Sequence, residues 1–138
     1  MRVIVSLHVA TGAAVGALTR SQLAAAALGP VLHAAGDRMP HQDLSDENWE
    51  IGTGLVLVSV LAAVRGPLDA TVVGALAASA PDAEHLVPFP RAGGRKLFPS
   101  HRVPGWHRAG GAPAWLQSLA AGALLGAILA TGRGRAAR

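Results

Sequence analysis

Two short segments hold most of the side chains that could do chemistry. Residues 81–85 read Pro-Asp-Ala-Glu-His, which places two carboxylates and an imidazole directly after an apolar run. In the second segment, residues 33–41, His33, Asp37 and His41 follow one another at intervals of four. Ionisable groups are costly next to hydrocarbon, so their presence beside apolar runs predicts a functional site.

The spacing of His33, Asp37 and His41 is that of one helix face. On an α-helix the three side chains lie within about 12 Å of one another, and neighbours at this spacing can bind one metal ion. Pro40 disfavours helical backbone at Met39. We therefore expect the helix to end or kink there, with His41 just past its end.

The segment around Asp82 and His85 predicts a second half of the same site. Pro81 suits the first turn of a short helix, on which Asp82 and His85 share a face. Residues 29–37 and 74–82 both place an Asp eight positions after a Gly. If it is a true repeat, this similarity predicts two half-sites that meet across a pseudo-symmetric bundle, but chance similarity in a chain rich in Ala and Gly is the slightly better explanation.

The residue types predict a metal centre of imidazoles and carboxylates. The chain has six His and no Cys, which excludes thiolate ligands and disulfides. This donor set suits Zn, with Mn or Fe(II) as alternatives. There are too many candidates for one ion, so we expect two ions or residues that support the ligands. The candidate ligands are His8, His33, Asp37, His41, Asp82, His85, His101 and His107.

The composition favours a membrane protein. Of 138 residues, 51% are hydrophobic and only 14% are charged, whereas soluble domains have about 25% charged residues. The basic residues occur in loops and the tail without an aromatic-interleaved stripe, which argues against nucleic-acid binding and favours the lipid bilayer and anionic lipid headgroups as partners. We expect one membrane-embedded domain over residues 1–132 and a disordered basic tail over 133–138.

The apolar runs predict an all-α bundle of four or five membrane helices, hence a multi-pass protein. Gly12 and Gly16 share a face of the first helix, which permits close helix contact, and Arg20 favours a retained helix over a cleaved signal peptide. The third and fourth runs are about 20 Å long as helices, shorter than the ~30 Å hydrocarbon core, so they extend into their flanks or are buried. The runs are residues 3–18, 21–39, 51–64, 68–80 and 114–131.

A long segment rich in Pro, Gly and Arg, residues 86–112, precedes the last helix. Loops of this length are usually functional or disordered. This segment carries His101 and His107, which favours a function. At the helix starts, Ser21 and Asp69 are suited to capping.

Three motifs together resemble a known family. His8 is followed by Gly12, residues 81–85 form a Pro-Asp-x-Glu-His box, and residues 101–107 read His-Arg-Val-Pro-Gly-Trp-His. These motifs resemble those of YdjM-like small inner-membrane proteins, described as LexA-binding proteins or metal-dependent hydrolases. The resemblance covers about residues 5–110, and residues 33–41 are similar to a His-x-x-x-Asp-x-x-Pro-His box of related small membrane proteins.

The resemblance implies a membrane-embedded, metal-dependent hydrolase of the inner membrane that acts on a lipid or phosphoester. Glu84 replaces the family's second Asp, and one extra residue separates the last two histidines. In the implied mechanism Glu84 or Asp37 is the general base, while Arg102 and Arg108 bind a substrate phosphate or, alternatively, snorkel to the interface. The bound ion lowers the pKa of water to about 7. The ligands in this mechanism are His8, Asp82 and His85, with His101 or His107.

Two other functions fit the same residues. In the first, the protein is a non-catalytic integral membrane protein and the His and Asp side chains form a structural metal site or polar network. In the second, the clusters line an ion path of a transporter or accessory subunit. A phosphoesterase assay, the stability of Asp82→Asn in detergent and divalent-ion flux in proteoliposomes distinguish the three hypotheses.

Overall fold

A computed structural model describes residues 5–42, 44, 46–86, 92–108 and 110–136, and the regular elements among these residues are helices, with no strand. Short 3₁₀ turns at Ala80–Asp82 and Ala92–Gly94 join some of the helices. The all-α prediction is confirmed. The helices are α1 (Val5–Thr19), α2 (Gln22–Arg38), α3 (Glu47–Arg65), α4 (Ala70–Ser79), α5 (Ala83–Leu86), α6 (Pro99–Arg102) and α7 (Ala114–Ala136).

Side-chain caps set the starts of three helices. Ser21 Oγ accepts the N–H of Ala24, and the Asp69 carboxylate accepts the N–H of Thr71, as predicted. Asp46 caps α3 in the same way, a role that the sequence analysis missed. Each cap satisfies a first-turn N–H that has no partner inside its helix.

Helix α1 is the centre of the bundle, and it contacts α2, α3, α4 and α7. Glycines allow the closest of these approaches. A Cβ added at Gly12 would lie 2.1 Å from the carbonyl oxygen of Gly74, and one at Gly16 would lie 2.0 Å from that of Ala70. Any larger residue would therefore force α1 and α4 apart, which confirms the close contact predicted from the Gly12–Gly16 spacing.

A core of small and aliphatic side chains fills the space around α1. Its members are Val9, Ala10, Ala13, Leu61, Val72, Ala75, Ala121, Leu125 and Ile128.

Two helices are long and apolar enough to cross a membrane, over Asn48–Arg65 and Ala114–Thr131. Only 17% and 22% of the residues in these windows are buried, so most of both surfaces is not covered by the protein. Helix α3 reaches 19 residues, or about 28 Å, because its cap lies upstream of the predicted run. Helix α4, by contrast, has 10 residues and lies against α1 and α2. A bundle of four or five spanning helices is therefore not confirmed.

The segment before the last helix folds back onto α2. A parallel bridge pairs His41 with Ala112, and the indole N–H of Trp106 donates to the carbonyl of Ala34 over 2.9 Å. These contacts hold α6 near the C-terminal half of α2. Helix α7 includes residues 133–136 of the predicted basic tail, and residues 137 and 138 lie outside the described part of the chain.

Candidate metal centre

Four parts of the fold converge on one buried cluster. Helix α2 supplies His33 and Asp37, which are fully buried. The turn after α4 supplies Asp82, α6 supplies His101, and His8 reaches in from the first half of α1. Residues separated by up to 93 positions thus come within bonding range of one another, a convergence that spacing within a helix cannot predict.

The end of α4 fixes the orientation of His33. Its Nδ1 lies 2.8 Å from the carbonyl oxygen of Ala78. That carbonyl is in the last turn of α4, where carbonyls lack helical partners, and Pro81 prevents the helix from continuing regularly. Because a carbonyl can only accept, the Nδ1 of His33 carries hydrogen. In the tautomer with a single hydrogen, on Nδ1, the Nε2 presents its lone pair to the cluster.

Glu84 fixes His101 in the same way. The Nδ1–H of His101 donates to Glu84 Oε1 over 2.6 Å, and the other carboxylate oxygen accepts the N–H of Leu97 over 2.6 Å. Oε1 also accepts the N–H of Phe98 at 3.3 Å. Burial raises the pKa of Glu84, but the bonds from Leu97, His101 and Phe98 outweigh it and hold the pKa below its usual value. A buried anion therefore directs the Nε2 of His101 into the cluster, as carboxylates commonly do for metal-binding histidines.

The inward-facing atoms of three residues form a nearly equilateral triangle. His33 Nε2 lies 3.1 Å from His101 Nε2 and 3.2 Å from Asp37 Oδ2, and His101 Nε2 lies 3.5 Å from the same oxygen. Ligand atoms about 2.0–2.1 Å from a tetrahedral Zn²⁺ lie roughly 3.3 Å apart. The triangle therefore matches one face of a tetrahedral metal site.

Asp82 lies beside this triangle. Its Oδ1 is 3.8 Å from His33 Nε2 and 3.7 Å from His101 Nε2, and its Oδ2 is buried with no hydrogen-bond partner among the described residues. Burial raises the pKa of Asp82, since the attraction of the nearby imidazoles does not fully compensate for lost hydration. Asp82 is thus placed to complete the ligand set or to accept a proton.

Further polar groups surround Asp37. The Nε2 atoms of His8 and His107 lie 3.4 Å and 3.6 Å from its two oxygens, and Ser100 Oγ donates to Oδ2 over 2.5 Å. Three overlapping groups could each hold an ion: His8–His33–Asp37, His33–Asp82–His101 and Asp37–His101–His107. The buried His and Asp side chains could therefore hold a metal ion, and the overlap permits a second ion or a set of supporting residues.

Four residues predicted for the site lie outside these groups. The Nδ1–H of His41, which lies past the end of α2, donates to the carbonyl of Met39 over 2.6 Å, and its ring lies edge-on to that of His107 with centroids 6.3 Å apart. His85 contacts Lys96. Arg102 and Arg108 are exposed. The roles predicted for these four residues stay predictions, as does the role of Glu84 or Asp37 as general base.

An apolar cavity of about 320 Å³ adjoins the cluster. Helices α3 and α4 form its walls, with Ile51, Leu55 and Leu76 among the lining residues. Asp82 and His85 lie at its polar end. Asp82 therefore faces the imidazoles on one side and the cavity on the other.

Some contributors to the centre carry no clear sequence signal. Ser100 is 1% exposed and bonds to Asp37, and only its position beside His101 in a loop predicted to be functional could have indicated it. The carbonyl of Ala78 has no signal of its own beyond the helix-ending Pro81. The similarity of residues 29–37 and 74–82 has a structural counterpart, because both terminal Asp side chains reach His33.

Comparison of the chain with protein-family models, with curated proteins and with solved structures finds no match. The functional argument therefore depends on the geometry and chemistry of this chain's own residues.

Proposed function

We propose that this protein is a membrane-embedded hydrolase that depends on a divalent metal ion held by His33, Asp37 and His101, with Asp82 as the fourth ligand or proton acceptor. The observation that supports it best is the triangle of Nε2 and Oδ2 atoms with edges of 3.1, 3.2 and 3.5 Å. Both imidazoles in the triangle donate from Nδ1 to an outer acceptor. When neutral, they place lone pairs 3.1 Å apart beside a carboxylate, an arrangement that needs a shared cation.

Zn²⁺ fits the proposal best. Two imidazoles and one or two carboxylates at tetrahedral spacing form a usual zinc ligand set, and the six- to eight-oxygen sets typical of Ca²⁺ are absent from the described cluster. Fe(II) and Mn²⁺ remain alternatives, because two His and one carboxylate also bind iron when coordination positions stay open. A bound divalent ion supplies Lewis acidity and lowers the pKa of water to about 7.

Other residues of the protein supply the proton acceptor, the support for His101 and the contacts to the substrate. Asp82 has an unpartnered, buried oxygen at the edge of the cavity, and burial raises its pKa, which favours proton uptake by this carboxylate. Glu84 holds His101 in one orientation and tautomer. The exposed positions of Arg102 and Arg108 allow them to meet a phosphate at the surface or anionic lipid headgroups.

The proposal places the protein in a membrane, with α3 and α7 crossing it. Large apolar side chains face outward on both helices: Leu55 is 65% exposed and Leu119 is 62% exposed. Trp49 and Trp115, near the starts of the two helices, are 67% and 64% exposed, as expected for aromatic side chains at the interface. A multi-pass arrangement in an inner membrane, as the family resemblance implies, is part of this proposal.

A structural role of the same cluster is the second candidate. Asp37 is fully buried and surrounded by His8, His33, His101 and His107, which resembles a closed centre more than an open one. Burial lowers the pKa of His101, but the hydrogen bonds and charges of Asp37 and Glu84 outweigh it and raise the pKa overall. A proton could therefore replace the metal ion and leave a polar network that only stabilises the fold.

The two candidates differ in what Asp82→Asn does. We expect protein purified in detergent and loaded with Zn²⁺ to hydrolyse 4-nitrophenyl esters or phosphate esters. Asp82→Asn should lower kcat by about 10²–10⁴-fold, the usual contribution of a general acid or base, while unfolding within a few degrees of the wild type. Asp69→Asn is the matched control, because Asn also caps helices and Asp69 lies outside the cluster. A metal-loaded wild type without turnover on either ester class would favour the structural candidate.

A further inference from the structure

The lining of the cavity beside Asp82 suits a ligand that has an apolar chain and a polar end. Its lining is mostly apolar, and the polar lining residues are Glu50 of α3, Ser79 of α4, Asp82 and His85. Its volume of about 320 Å³ is roughly twice that of the ~150 Å³ apolar cavity that binds benzene. It therefore has room for a chain on the order of ten carbon atoms.

The mouth of the cavity is apolar as well. Leu55, Leu76 and Leu86 line the cavity and are 65%, 50% and 48% exposed, so the part of the lining that reaches the surface includes these apolar side chains. In the proposed membrane orientation α3 faces lipid. An alkyl chain can then enter from the bilayer without passing through water.

A cation lies next to the polar end. The ammonium of Lys96 donates to Nδ1 of the His85 ring and also lies 3.2 Å from its Nε2, and His85 lines the cavity. Asp82, on the same side, reaches the imidazoles of the metal centre. The polar end thus combines a positive charge with the reacting groups of the proposed hydrolase.

We propose that the cavity between α3 and α4 binds the alkyl chain of a single-chain amphiphile with an anionic head, and that it holds the scissile ester of this substrate beside Asp82. The inference rests on the proposed function and names its substrate class. The apolar wall selects the chain, and Lys96 selects the charge of the head.

Chain length gives a test that needs no turnover. Alkylphosphonic acids of 4–14 carbons, which contain no ester, are titrated by calorimetry into protein in nanodiscs, with empty discs subtracted. We expect one saturable binding site per protein molecule, and its affinity should increase about fourfold with each added methylene. It should stop tightening at about ten carbons, where the cavity is full.

A matched pair of substitutions locates the binding. Ala80 lines the cavity at an exposed position, and Ala80→Leu adds three carbons there, so the plateau should move to about seven carbons. Ala63→Leu makes the same change on an exposed part of α3 away from the cavity and should leave the plateau at ten. Lys96→Gln should weaken the binding of every chain length about equally.

The outcomes separate this inference from the proposed hydrolysis. If affinity increases with chain length without a plateau, or if Ala80→Leu and Ala63→Leu have the same plateau, the ligand partitions into lipid. Either result overturns the inference, even when the protein hydrolyses short esters. A plateau that moves only in Ala80→Leu supports it. If the same protein has no activity on any ester, the hydrolase proposal fails while the chain-binding cavity stands.

Discussion

Glu84→Gln tests whether the buried carboxylate holds His101 ready for metal binding. The two side chains have the same shape, but Gln replaces one acceptor oxygen with an NH₂ group. Both carboxylate oxygens accept hydrogen bonds. Oε1 serves His101 Nδ1 at 2.6 Å and Phe98 N at 3.3 Å, and Oε2 serves Leu97 N at 2.6 Å.

Neither orientation of the amide satisfies these donors. With NH₂ at the Oε2 position, the NH₂ group faces the N–H of Leu97. Two donors then meet, and the buried NH₂ is left unpaired at a cost of about 1–3 kcal/mol. With NH₂ at the Oε1 position, His101 must accept at Nδ1 and carry its hydrogen on Nε2, which removes the lone pair from the metal side. Loss of such a supporting group weakens metal affinity by about 10–100-fold, equal to about 1.4–2.8 kcal/mol.

The assay is a competition titration of Zn²⁺ against a chromophoric chelator, together with thermal unfolding in the same detergent. Glu50→Gln is the control, because Glu50 is also buried and accepts the N–H of Leu44 but lies outside the metal-binding groups. It should lose stability without losing affinity for Zn²⁺. An unchanged affinity in folded Glu84→Gln would refute the role of Glu84 in holding His101.

Three further predictions follow from other contacts. Ser100→Ala removes the donor to buried Asp37 and should lower the free energy of unfolding by about 1.5–3 kcal/mol; a loss below about 0.5 kcal/mol in thermal unfolding would contradict it. Gly12→Ala places a Cβ 2.1 Å from a carbonyl oxygen of α4 and should cost about 3 kcal/mol or more, whereas Gly52→Ala, which meets nothing within 4 Å, should be neutral or stabilise α3. Apparent Zn²⁺ affinity should fall as pH decreases, starting above the ordinary value of 6.5, because the pKa of His101 is raised and its imidazolium cannot bind metal; a constant affinity between pH 8 and 6 would contradict this.

Local signals in the sequence predict the helices well. Ser21, Asp69 and Pro40 mark two helix starts and one helix end within a residue of where the structure has them. Their effects act within one turn of backbone, so no knowledge of the tertiary fold is needed. Helix α3 is longer than the apolar run 51–64 because it begins next to its cap, Asp46, in a polar segment that apolar periodicity does not mark.

The sequence predicts the part of the metal centre that depends on spacing within one helix. His33 and Asp37 share a helix face, and this local spacing is retained in the structure. His41, four residues further, lies past the end of the helix at Pro40, so its ring contacts the backbone of Met39 and the ring of His107 rather than His33 and Asp37. The pairing of His33 with His101 spans 68 positions and depends on how the loop before α7 folds back, which no periodicity encodes.

Helix packing explains why the number of spans was hard to predict. Composition favours a membrane protein throughout, but a run rich in Ala and Gly can face lipid or pack against another helix. Gly74 in α4 and Gly12 in α1 meet at their backbones, so α4 is buried by protein although its sequence is as apolar as that of α3. Only contacts between helices distinguish the two cases.

Metal content is the most direct test of the central claim. Wild-type protein and Asp69→Asn, purified in detergent and exposed to Zn²⁺ before desalting, should retain at least one divalent ion per chain when measured by inductively coupled plasma mass spectrometry. Asp37→Asn should retain almost none, because Asp37 contributes an oxygen to the ligand triangle at 3.2 Å and 3.5 Å from the two imidazoles. Wild-type protein without stoichiometric metal, or a folded Asp37→Asn with the wild-type amount, would contradict the metal centre.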